Sequence, residues 1–213
     1  NTQSKLMMFR FLLFLILFFN FQSLTNASVF KKFDIAGMTI GKSLLNFYDK
    51  KEILINRKFK YKDKKISTSE FENFFYIPKT KNSSIKYKNF IFDKINISYF
   101  TKDKKFKIIN ISGIINLDRN KNDCEEKSFE FVNYVKTTLH DAKYTYEAKT
   151  NFIPIDYSKK SILTSNHFYL ENKDSIIIEC YYFSRSMRSY SNDLRFRLST
   201  DSFNKWLLDE AFK

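Results

Sequence analysis

Glycine and proline are almost missing from this chain, at three and two residues in 213. That scarcity excludes the phosphate-cradling loop, the dinucleotide fingerprint and the glycine-flanked nucleophile elbow, each of which needs backbone that only glycine supplies cheaply. Histidine is equally rare: His140 and His167 are the only two, and no HExxH helix is present. Cys124 and Cys180 complete the inventory of soft ligands, and with the two histidines they have none of the spacings of a zinc motif. No catalytic group, metal ligand set, cofactor motif or specific nucleic-acid motif is therefore assigned. Arginine is short as well, with 7 residues against 30 lysines.

Core-forming residues are plentiful, since 43% of the chain is hydrophobic and 18% aromatic. A chain of this size and make-up buries enough apolar surface for a stable domain. The formal charge is +14, but lysine, isoleucine, asparagine, phenylalanine and tyrosine all have AT-rich codons, and a low-GC genome supplies part of that basicity without any function. Where the charge falls is more informative than its total.

The N-terminal region reads as a signal peptide over residues 1–27, with initiation expected at Met7 or Met8. Lys5 and Arg10 precede an apolar run over 11–19, and Thr25-Asn26-Ala27 offers small residues at −3 and −1, so cleavage is expected after Ala27. No later run of about 18 apolar residues follows, and no membrane-spanning segment is expected after cleavage. A periplasmic or secreted location makes an even cysteine pair a disulfide, Cys124 to Cys180. In the chain-entropy model such a bridge contributes at most about 4 kcal/mol.

Residues 28–213 are read as a single α+β domain, with possible sub-halves 33–117 and 118–213. The expected order is helix, strands, helix, strands, helix, with antiparallel sheet and helices packed on one face, in two possible α-βββ halves. Gly41 and Ser43 supply a turn and an N-cap for a broken helix carrying Leu44, Leu45, Phe47, Tyr48, Ile53 and Leu54. Residues 57–65 alternate basic and aromatic side chains and suit a solvated edge or loop. Strands are expected around Phe71 to Ile77, over 87–92, 95–100 and 106–117, with a hairpin turn at Lys102-Asp103-Lys104. The longest helix is expected over 122–142, placing Cys124, Ser128, Phe131, Val132, Val135, Leu139 and Ala142 on one face. A polar loop then runs past Pro154, followed by strands over 161–171, 175–183 and 193–200 and a final helix with Phe203, Trp206, Leu207 and Ala211 on one face.

The segment Phe33-Asp34-Ile35 through Ile40-Gly41-Lys42-Ser43-Leu44-Leu45, together with Asn122-Asp123-Cys124, Ile178-Glu179-Cys180-Tyr181, Asn192-Asp193-Leu194-Arg195 and Phe203-Asn204-Lys205-Trp206-Leu207, resembles an uncharacterised exported protein family of low-GC marine alphaproteobacteria. The resemblance covers nearly all of the chain after the leader and implies an origin and a compartment, but no chemistry. Residues 40–45 are also similar to the opening helix of envelope modules of the beta-lactamase-inhibitor-protein-like type, with Lys42 where those have Met.

Charge localises in two places. The stretch 57–107 holds fifteen basic residues against five acidic ones, and Lys58, Lys60, Lys62, Lys64 and Lys65 stand together at its start. Four of the seven arginines, Arg185, Arg188, Arg195 and Arg197, lie within thirteen residues, and Arg195 and Arg197 share a strand face. Both groups are candidate anion-binding surfaces, lysine as point charges and arginine as a bidentate fork. Solvation of the lysines and ion pairing of the arginines to Glu179, Asp193 or Asp201 are the structural alternatives. His140 at a helix end and His167 beside an apolar strand face are read as structural. The sequence thus points to an exported, non-enzymatic binding protein whose partners are anionic lipid, acidic polysaccharide or an envelope protein. The alternatives are an envelope hydrolase without a local motif and a structural or assembly partner in the envelope.

Overall fold

A computed structural model describes residues 26–58, 64–72, 91–117, 121–187 and 189–211. Helix α1 (Asn26–Lys31) and helix α2 (Lys50–Ile55) precede the strands β1 (Arg57–Lys58), β2 (Ile66–Glu72), β3 (Lys94–Phe100) and β4 (Asn110–Leu117). Helix α3 (Lys121–Thr138) leads into β5 (Tyr144–Phe152), β6 (Ile162–Leu170), β7 (Ser175–Tyr182) and β8 (Asn192–Ser199), and α4 (Asp201–Asp209) follows. All eight strands form one antiparallel sheet in the order β1-β2-β3-β4-β8-β7-β6-β5. The order is palindromic about the β4–β8 pair, whose eight-residue register runs from Asn110 opposite Ser199 to Leu117 opposite Asn192.

Strand alternation divides the sheet into two unlike faces. One face carries Phe71, Ile95, Ile97, Tyr99, Ile111, Leu194, Phe196, Leu198, Ile176, Ile178 and Phe168, which join a single apolar cluster with Phe30, Phe33, Ile53, Phe131 and Val135 from the helical side. Gly113 lies on this face because the Phe92 ring sits against it: a Cβ there would approach the ring to 2.5 Å. Helix α3 covers the face with the stripe its spacing predicts, and Cys124, Ser128, Phe131, Val132, Val135 and Leu139 are all buried. Cys124 in its first turn is bonded to Cys180 on β7, closing a sequence separation of 56 residues.

The expectation of helices on one face does not describe α4. Ile66 and Phe100 have the opposite strand parity to Phe71 and Tyr99, and with Ile109 they form a separate cluster around Phe203, Trp206 and Ala211. Thr200 caps this helix by accepting from the Phe203 amide at 3.2 Å. Where β8 gives way to α4, the Thr200 amide donates to the carbonyl of Ile109, just before β4, at 3.0 Å.

One further expectation is corrected: residues 144–152, read as polar loop, form the nine-residue edge strand β5. The broken helix expected after Gly41 is found as a 3-10 segment (Leu44–Asn46) capped by Ser43, followed by α2. The strand expected around Phe74 to Ile77 and most of that over 87–92 lie outside the described residues, as do residues 1–25 of the expected signal peptide. Among the described residues no helix is long and apolar enough to cross a membrane.

Candidate functional site

The second face of the sheet is polar and half-buried. Cross-strand register aligns Glu72, Lys94, Arg195, Glu179, Ser165 and Lys149 in one row and Glu70, Asn96, Ser112, Arg197, His167 and Glu147 in the next. Arg195 and Arg197 therefore do share a face, but ion pairs within the sheet occupy both. Arg195 forks onto Asp193 through Nε at 2.7 Å and a terminal nitrogen at 2.8 Å, and its guanidinium lies 4.1 Å from the centre of the Tyr181 ring. Arg197 reaches Glu179 at 2.6 Å, with its Nε buried and lacking a partner. Arg185 is exposed in the 3-10 turn Arg185–Met187, and Arg188 lies outside the described residues. Lys94 is likewise committed, since hydrogen bonds to Glu70 and Glu72 raise its pKa.

His167 has structural partners too. Its Nε2 is 2.9 Å from Ser165 Oγ and its Nδ1 is 3.1 Å from Tyr169 hydroxyl. Burial lowers its pKa from 6.5. A serine beside a histidine invites a nucleophilic reading, but Ser165 is only 3% exposed, and neither residue lines the cleft beside Lys42 and Lys107 or the one between Phe129 and Tyr146. His140 Nδ1 lies 3.1 Å from the Thr137 carbonyl at the end of α3. Among the described residues no group of three or more His, Cys, Asp or Glu side chains could hold a metal, and both cysteines are spent in the disulfide.

A second polar centre is Asp156, which is buried and surrounded by donors. Its Oδ2 accepts from Ser161 N and Oγ and from Ser184 Oγ, and its Oδ1 accepts from Ser158 N and Oγ. The Ser158 and Ser161 hydroxyls, aided by Ser184, hold its carboxyl well below the usual range. Every lone pair direction serves a loop contact, so the group ties the segment after β5 to the segment after β7.

Charge that is not consumed internally gathers at one end of the sheet. The turn at Lys64 and Lys65 is held beside Thr101, whose backbone amide donates to the Lys65 carbonyl at 2.9 Å and whose hydroxyl donates to the Lys64 carbonyl at 2.6 Å. Lys102, Lys104, Lys105 and Lys107 follow in the connection shaped by Asp103, which accepts from the Lys105 and Lys107 amides at 2.9 and 2.8 Å. Ser43 bridges to Lys107 and donates to the Lys105 carbonyl, bringing Lys42 alongside. Lys31 joins across a cleft of about 640 Å³ that Lys42, Lys107, Asp103 and Asp174 also line.

All eight of these lysines are exposed. The carboxylates near them are already engaged: Asp103 by two amides, Asp174 by the Asp201 amide and Asn172, Glu210 by Lys65, and Asp201 by Lys205. Lys31, Lys64, Lys102, Lys104, Lys105 and Lys107 have no carboxylate partner among the described residues. Of the sequence candidates, Lys64 and Lys65 belong to this end, Lys58 is exposed on β1 opposite Thr68, and Lys60 and Lys62 lie outside the described residues. Sequence reasoning missed Lys31 and Lys42 because only the fold brings them to the hairpin. Lys102 to Lys107 had a signal, the turn expected at Lys102-Asp103-Lys104.

No family model, curated protein or solved structure matches this chain.

Proposed function

We propose that the chain is an exported, non-enzymatic binding protein that engages anionic partners through its lysine-rich end. The carrying observation is that Lys31, Lys42 and Lys107 line one cleft and exposed Lys64, Lys102, Lys104 and Lys105 stand in the turns at the same end of the sheet, while the neighbouring carboxylates are satisfied by amides or other lysines. Unpaired ammonium groups on flexible stems favour an array of phosphates or carboxylates over one planar ligand, so anionic lipid headgroups or acidic polysaccharide fit better than a single small acid. The Cys124–Cys180 disulfide supports an oxidising compartment. The basic, apolar and small-residue succession over residues 1–27 supports export, in keeping with the resemblance to an exported family of low-GC marine alphaproteobacteria.

Co-sedimentation tests the reading directly. The protein should pellet with phosphatidylglycerol-containing vesicles, stay in solution with pure phosphatidylcholine, bind heparin, and be released from both as salt rises. A Lys104→Glu, Lys105→Glu, Lys107→Glu variant should lose that retention. Retention by the variant equal to that of the original chain would overturn the assignment.

A further inference from the structure

The outer edge of β5 is the least protected part of the sheet. It runs nine residues, contains no proline, and has no strand on its outer side among the described residues, whereas the opposite edge strand β1 runs only two residues. A long edge presents a row of backbone donors and acceptors that templates another strand. Exposed apolar side chains surround it: Phe152 is 62% exposed, and Ile155 and Tyr157 just beyond it are 50% and 97% exposed. Its one lysine, Lys149, does not guard the edge by net charge, because Glu147 sits on the same face 2.9 Å away.

We propose that this edge pairs with the same edge of a second copy of the chain, antiparallel about a twofold axis through Ala148. A twofold perpendicular to the sheet keeps each face on its own side, so residues opposite each other must have equal parity and the axis must pass through a residue. Placed at Glu147 or at Lys149, the axis sets that charge against itself. Shifting it to Tyr146 sets Lys149 against Lys143 of the other copy. At Ala148, Glu147 faces Lys149 of the second copy twice, once on each side of the axis. This register also uses the strand in full, because Ala148 is its midpoint: Tyr144 meets Phe152, Thr145 meets Asn151 and Tyr146 meets Thr150. Charge complementarity and maximal overlap thus select the same register. The two sheets become continuous, and the lysine-rich ends of the two copies come to opposite strand ends.

Light scattering and sedimentation equilibrium on the disulfide-bonded chain read the outcome. The original chain is expected to be a dimer. Glu147→Lys alone makes two Lys–Lys contacts and Lys149→Glu alone makes two Glu–Glu contacts, and each should weaken self-association by at least about tenfold. Mixing these two variants restores every opposite-charge contact and should give heterodimers, and the combined Glu147→Lys, Lys149→Glu swap should again form homodimers. Both side chains are about half exposed (44% and 45%), so the monomer fold should survive, as unchanged circular dichroism would show. A measurement without mutation is amide exchange, in which β5 protection should rise with protein concentration. A monomeric original chain, single variants that dimerise as before, a mixture that stays monomeric, or exchange independent of concentration would each overturn the pairing.

Discussion

Two basic regions of this protein differ in what their charge is free to do. The arginines of β8 are held by Asp193, Glu179 and the Tyr181 ring on a half-buried sheet face. The lysines of the hairpin end stand in solvent, their neighbouring carboxylates turned inward to amides or to Lys65 and Lys205. Equal formal charge therefore serves structure in one place and remains available in the other. Side-chain chemistry follows the same division: a planar fork suits fixed pairing inside a sheet, and a hydrated point charge suits a mobile anionic partner.

The largest effect is expected from unpairing an arginine. Glu179→Ala leaves the Arg197 guanidinium half-buried, with a Nε already lacking a partner, and should cost about 3 kcal/mol in urea unfolding. Charge reversal at Lys104, Lys105 and Lys107 should shift stability by no more than about 0.5 kcal/mol in the same assay. Next in size, Arg195→Lys with Arg197→Lys keeps the charge but loses the fork and weakens the ring contact, for a loss of about 1 to 2 kcal/mol. Vesicle binding by that variant should be unchanged; if it falls, the arginines and not the lysines are the anion site. A smaller effect concerns His167, whose pKa burial depresses below its ordinary 6.5. The unfolded chain takes up that proton first, so stability is full above the unfolded value and declines as pH falls through the window below it. His167→Gln should flatten the slope between pH 7 and 5, measured by thermal melts, by less than about 1 kcal/mol.

Much of the fold was legible because hydrophobic period matched structure. The α3 stripe and the β6 to β8 strands follow from residue spacing, and the cysteine pairing follows from there being two cysteines in a chain read as exported. β5 escaped because its alternation is Tyr144, Tyr146, Ala148, Thr150 and Phe152 against polar residues, and most of the strand is exposed. In β2 the inward positions Ser67 and Ser69 are hydroxyls satisfied by Thr101, Tyr99 and the Ile53 carbonyl, so no apolar pattern marks its first half. For the site, clustering along the sequence found the arginines but could not show that Asp193 and Glu179 occupy them. The lysine-rich end is assembled from separate segments, joined by the backbone bonds of residues 41–44 to 106–108 and by the Thr101 contacts to Lys64 and Lys65.

The most direct test is the salt dependence of heparin affinity for three proteins: the original chain, the Lys104, Lys105 and Lys107 charge-reversal variant, and the Arg195→Lys, Arg197→Lys variant. A slope that collapses in the lysine variant and persists in the arginine variant is the predicted result. A slope untouched by the lysine changes but reduced by the arginine changes would contradict the account.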